Sequence, residues 1–126
     1  MRQIPAVIAK LQTVMADDVG PFRTDAKLRS AISQIAQLKA DIGDTPFASA
    51  DAFDPVLADW LDLRNMLTVA QSVAVPALAR TESRGAHQRD DHLGLNDAWS
   101  VNQIVSMSDG DMTLRKVMPA TGKAAA

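Results

Sequence analysis

Residues 63–79, LRNMLTVAQSVAVPALA, are apolar on almost every side when wound as an α-helix. A helix of that kind cannot rest on a surface with one face in water; it has to be contacted from several directions. The rest of the chain must therefore supply helices to lie around it. Its start is signalled by Asp54-Pro55: the aspartate side chain can accept from the first unpaired backbone N–H groups, and proline, with none to lose, suits the first helical position. The spacing predicts a helix over 56–81. Pro76 lies inside it, which forfeits the bond to the Ser72 carbonyl and predicts a kink costing ~3 kcal/mol unless packing compensates.

Two earlier segments can provide the surrounding faces. Ile4, Val7, Ile8, Leu11, Val14 and Met15 recur at three-and-four spacing, and Gly20-Pro21 ends that run. Thr24 is a cap for a second helix in which Leu28, Ala31, Ile32, Ile35, Leu38 and Ile42 form one stripe, closed by Gly43. The turn-rich stretch 44–53 reads as a connecting loop. After residue 82 the pattern becomes polar and irregular. Beyond Trp99, VNQIVSMS and MTLRKVM flank Asp109-Gly110-Asp111, a β-hairpin signal. Such a hairpin is marginal alone, so it should lie against the helices or another chain. The expected fold is mainly α: a spectrin-like, up-down-up three-helix bundle with a small C-terminal β-hairpin over residues 1–118, followed by a disordered tail, 119–126.

Composition removes several function classes. The absence of cysteine rules out disulfides and thiolate-held metal centres. Thirteen Lys and Arg against fifteen Asp and Glu leave a net charge of -2, without the basic field a nucleic acid requires. No stretch nears the ~20 apolar residues of a membrane span, so direct membrane insertion is not expected. The N-terminus lacks the apolar run of a signal peptide, which points to an intracellular chain. The six glycines are scattered, so no glycine-rich phosphate cradle exists.

The densest polar cluster runs from Arg80 to His92 and holds both histidines, with Glu82, Arg84, Arg89, Asp90 and Asp91. Glu82 and His87 form a conceivable acid/base pair, and His87, Asp91 and His92 a conceivable metal set. The plainer reading is that Arg and His beyond a helix end bond its free carbonyls, while the acids pair with them. Ser72 and Ser83 lack a nucleophile elbow and read as backbone partners, and the methionines as core filler. Asp17 and Asp18 oppose the dipole at their helix end, with Arg23 near enough to relieve them.

Residues 61–91, LDLRNMLTVAQSVAVPALARTESRGAHQRDD, resemble the C-terminal helical domain of the succinate dehydrogenase/fumarate reductase flavoprotein family, whose relatives include L-aspartate oxidase. Arg80, Glu82, Ser83, Arg84, Gly85 and His87 match its Arg-x-Glu-Ser-Arg-Gly-x-His hallmark, and Ala86, Gln88 and Arg89 continue it. Gly20, Arg23 and Thr24, and Trp99 with its following strand pair, extend the likeness over about residues 4–118. Asp90-Asp91-His92-Leu93 stands where the family often has an acidic-proline element. The resemblance implies a domain that adjoins an iron–sulfur subunit and packs on a flavin-binding domain or subunit. It places FAD, hydride transfer and the catalytic arginine in that other portion, with no catalytic, cofactor or metal residue in this chain. Arg80, Glu82, Arg84, His87 and Arg89 are the candidate partner-interface residues, Arg84 and His87 foremost. The implied location is cytoplasmic and, through partners, peripheral at the inner membrane. Two other readings stand beside it: a free-standing helical assembly module, and a hydrolase using Glu82 and His87, which would need a pocket around both.

Overall fold

The computed structural model describes residues 4–46 and 53–120. Three helices, α1 (Ile4–Asp18), α2 (Asp25–Ile42) and α3 (Pro55–Ala79), each pack against both others. Two residues of the α1–α2 link, β1 (Phe22–Arg23), pair in parallel with β2 (Gln88–Arg89). A short 3-10 turn, Asp97–Trp99, precedes the antiparallel hairpin of β3 (Asn102–Ser108) and β4 (Asp111–Val117). The molecule is thus mainly α with a small hairpin. Most of the 44–53 loop and residues 121–126 of the expected tail lie outside the described residues.

The caps form as the residue types dictate. Thr24 Oγ1 accepts from Lys27 N at 3.2 Å, and Asp54 Oδ1 accepts from Val56 N and Leu57 N at 3.0 and 3.3 Å. Gly43, at φ +67°, closes α2, and Trp60 Nε1 donates to the Ile42 carbonyl at 3.3 Å. At Gly20 a Cβ would sit 2.8 Å from the Ala16 oxygen, so only glycine lets the chain leave α1 this tightly.

The core is formed by Val7, Leu11 and Val14 of α1, Leu28, Ile35 and Leu38 of α2, and Trp60, Leu63, Leu67, Ala70, Ala74 and Ala77 of α3. The small alanines let the upper half of α3 approach its neighbours closely. α3 touches α1, α2 and β3, yet it buries a single stripe at three-and-four spacing; Val69 is 61% exposed and Val73 40%. The expected envelopment is therefore incomplete. An open apolar groove of about 580 Å³ runs between α1 and α3, floored by Leu11, Met15, Met66, Val69 and Ala70. Pro76 falls in the last turn of α3, and the helix continues through it to Ala79. The core-filler reading of the methionines holds for Met15 and Met66, which pack on the core, whereas Met107 and Met118 are exposed.

The hairpin lies over α3 but is loosely seated: Ile104, Val105 and Met107 are each more than a third exposed. Its turn, Asp109 at φ +51° and Gly110 at φ +83°, is the left-handed pair that matches strand twist. Gln103 Nε2 ties β3 to the Pro76 carbonyl at 2.9 Å.

Candidate functional site

The chain beyond α3 has little regular structure, yet it holds the buried charges. Arg89 is 1% exposed. Its Nη1 donates to the last carbonyls of α3 and its cap, Ala77, Leu78 and Arg80, at 3.1, 3.0 and 3.3 Å. The rest of the guanidinium grips Asp91 through two bonds, Nε to Oδ1 at 2.8 Å and Nη2 to Oδ2 at 2.9 Å. Asp91 Oδ2 also accepts from Asp25 N at 2.9 Å, in the first turn of α2. One ion pair thus sets a cation on the negative end of α3 and a carboxylate on the positive end of α2, favourable at both. Arg89 holds the Asp91 carboxyl well below the usual carboxylate range.

Glu82 is the second buried charge. Its Oε2 accepts from Arg80 Nη1 and Arg84 Nε, both at 2.7 Å; Oε1 accepts from Arg84 Nη2 at 3.1 Å and Asn96 N at 2.9 Å. The bonds from Arg84, then those from Asn96 and Arg80, outweigh desolvation and hold its pKa at about 2. Arg80 continues outward, donating to the Trp99 and Val101 carbonyls at 2.7 Å each. The Trp99 ring lies 5.1 Å from the Arg80 guanidinium and 3.8 Å from Lys116 Nζ, and its Nε1 donates to Thr81 Oγ1 at 2.9 Å. Ser83 Oγ accepts from Arg89 N and donates to the His92 carbonyl, both at 2.8 Å, which is the backbone role expected of it rather than a nucleophile's.

His87 is half-buried between the hallmark loop and the α1–α2 link. Its Nδ1 accepts from Arg23 Nη1 at 2.9 Å, and its Nε2 donates to the Arg80 carbonyl at 3.0 Å. Desolvation lowers its pKa, and the nearby Arg23, Arg89 and Arg80 charges lower it further against the pull of that carbonyl. Neutral imidazole with its proton on Nε2 satisfies both bonds.

The five candidate interface residues therefore come together in one corner, but they face inward to different degrees. Glu82 and Arg89 are enclosed by this chain's own groups; Arg80 is largely covered; His87 is half-open; the Arg84 side chain, 38% exposed, also reaches Ser100 Oγ at 3.3 Å. Glu82 and His87 do not meet as an acid/base pair: each is committed to separate arginines. The depression beside His87, about 200 Å³, does not include Glu82. Among the described residues no three His, Asp or Glu converge as a metal site. Arg23 does not relieve Asp17 and Asp18; it bonds the Gly20 carbonyl and His87, while Asp18 accepts from Gln34 Nε2 at 3.2 Å. Arg23 and Asn96 were not singled out for this corner by the sequence, since Arg23 arrives from 64 residues away with no local pattern to announce it.

Comparison with known proteins agrees with the hallmark. The succinate dehydrogenase flavoprotein subunit of Coxiella burnetii is 31% identical over 119 residues, 90% of this chain and 20% of its own length. A fumarate reductase (CoM/CoB) subunit of Methanothermobacter marburgensis is 37% identical over 90 residues, 71% of this chain and 16% of its own. The solved structure titled Mycobacterium smegmatis Sdh1 in complex with UQ1 matches with a TM-score of 0.79 at 33% identity, covering 94% of this chain and 20% of that one. The chain thus spans about a fifth of the length of such relatives. Residues 8–122 match the family described as fumarate reductase flavoprotein C-term, and this chain belongs to that family.

Proposed function

We propose that this chain is the helical C-terminal part, or a small subunit, of a succinate dehydrogenase/fumarate reductase-type flavin-dependent oxidoreductase. In this reading it docks on the flavin-binding part, adjoins the iron–sulfur subunit, and leaves hydride transfer between flavin and a dicarboxylate to the other portion. The observation that carries it is the exposed flank of α3. A helix apolar on nearly all sides is stable when covered on nearly all sides, and Val69 and Val73 are left open beside the α1–α3 groove. The short link 19–24 favours antiparallel α1 and α2, in keeping with an up-down-up order.

The described residues do not fit FAD themselves. A dinucleotide's pyrophosphate is held by free backbone N–H groups where a glycine-rich turn opens a helix. Here the openings of α2 and α3 are occupied by the Thr24 and Asp54 side chains, and α1 opens with Ile4-Pro5. The flavin belongs to the partner portion. No helix among the described residues is long and apolar enough to cross a membrane, which is compatible with a cytoplasmic, peripheral place in an electron-transport assembly.

Purification of the chain with whatever it binds in cell extract tests the reading. A yellow complex with flavin absorbance and succinate or fumarate turnover is expected; a colourless partner would favour the free-standing assembly module. In that complex Val69→Glu should weaken docking at least tenfold while leaving the chain's own stability within about 0.5 kcal/mol. Arg84→Ala should weaken docking by a few kcal/mol if Arg84 and His87 bridge to the flavin-binding part. Unchanged affinity in both variants would overturn the docking face.

A further inference from the structure

We propose that His87 is a proton-sensitive clasp: neutral, it fastens the hallmark loop to the α1–α2 link, and protonated at Nδ1 it releases β1 from β2. This goes beyond the docking role and does not depend on it.

The geometry carries the inference. Arginine can only donate, so the 2.9 Å contact between Arg23 Nη1 and His87 Nδ1 requires a lone pair on Nδ1. Nε2 faces a carbonyl oxygen at 3.0 Å and must hold the proton. A second proton has only Nδ1 to occupy, and there it would set N–H against N–H and imidazolium against guanidinium. Three arginines from separate elements surround the ring: Arg23 of β1, Arg80 at the cap of α3, and Arg89 of β2. The carboxylates in the corner are committed elsewhere, Glu82 to Arg80 and Arg84, and Asp91 to Arg89 and Asp25 N. The remaining lining of the depression at His87 is Val73, Pro76, Ala77 and the uncharged Gln103. That depression is open to solvent, so protons have access.

Past β1 the chain is held at Asp25, whose N donates to Asp91 Oδ2 at 2.9 Å, but β1 itself has few fastenings. Its register is two residues long, Phe22 with Gln88 and Arg23 with Arg89, and Asp90 N donates to the Arg23 carbonyl at 2.8 Å. A repelled Arg23 side chain therefore acts on the residue whose backbone makes the pairing. Glu82, at about 2, and Asp91, held well below the usual carboxylate range, stay ionised between pH 7.5 and 5.

The test is amide hydrogen exchange at Asp90 together with NMR of the His87 ring, on the full chain between pH 7.5 and 5. At neutral pH the ring should be the Nε2–H tautomer. The Asp90 protection factor should fall at least tenfold toward pH 5, while amides in the middle of α2 hold theirs. His87→Asn keeps an acceptor toward Arg23 but cannot titrate, so its Asp90 protection should be independent of pH. Arg23→Gln removes the repelling charge: the ring should then titrate at higher pH, and the acid-induced loss should shrink. His92→Gln, at the exposed second histidine, should behave as wild type. A proton on Nδ1 at neutral pH, or an undiminished acid response in His87→Asn, would overturn the clasp.

Discussion

The corner at residues 80–99 and the hairpin at 102–117 are neighbours held together in opposite ways. The corner has almost no repeating structure, but its buried polar atoms are all bonded: among the described residues no buried side-chain nitrogen or oxygen lacks a partner. The hairpin has seven paired positions and an ideal turn, yet Ile104, Val105 and Met107 remain substantially exposed on it. Beyond α3, regular backbone is thus a poor guide to where the chain is held. The corner is held by charge-assisted bonds in a low-dielectric setting, where each lost partner strands another group; the hairpin is held by its own ladder and a few tethers to the helices.

The contrast can be broken most directly at Arg89. Arg89→Ala strands the Ala77 and Leu78 carbonyls and strips the Asp91 carboxylate of its guanidinium, and should cost about 3–5 kcal/mol in urea unfolding. Arg89→Lys should restore less than half of this, because an ammonium cannot fork between Asp91 and the helix end. A loss under about 1 kcal/mol for the alanine variant would mean that the corner is ornamental.

Acid sharpens the same contrast. Glu82 has a pKa of about 2 when folded against an ordinary 4.5, so the unfolded chain takes up the proton first. The stabilisation is complete above pH 4.5 and is lost progressively as pH falls toward 2, with Asp91 acting in the same direction. The urea midpoint should therefore drop across that interval, and Glu82→Gln should flatten the slope.

The hairpin gives the smallest effect. Gly110→Ala meets no atom within 4 Å, so only the φ of +83° penalises it, by about 1 kcal/mol. Exchange should rise in β3 and β4 and leave the corner untouched; protection lost in both would mean that they unfold as one unit.

The three helices were legible because their stripes and caps are local: Thr24, Gly43 and Asp54 each act within a few residues of themselves. The hairpin was legible from Asp109-Gly110 for the same reason. In the hallmark segment the plainer reading was legible and correct, with Arg89 and His87 on carbonyls at the end of α3 and the acids paired with arginines; which charges are buried was not, because Arg89 and Glu82 are enclosed by partners arriving from α3, α2 and Asn96. The β1–β2 pairing was invisible, being two residues long and 66 residues apart in sequence. The partial exposure of α3 was equally hidden, since an apolar pattern states what should be covered but not which molecule covers it.

The bond from Asp25 N to Asp91 carries a consequence in time. It joins positions 66 residues apart, so the charges that meet the start of α2 and the end of α3 are in place only after residues 89–91 have emerged. During synthesis the bundle should collapse first and knot its charged seam afterwards, making the seam a late event whose disruption accelerates unfolding far more than it slows folding.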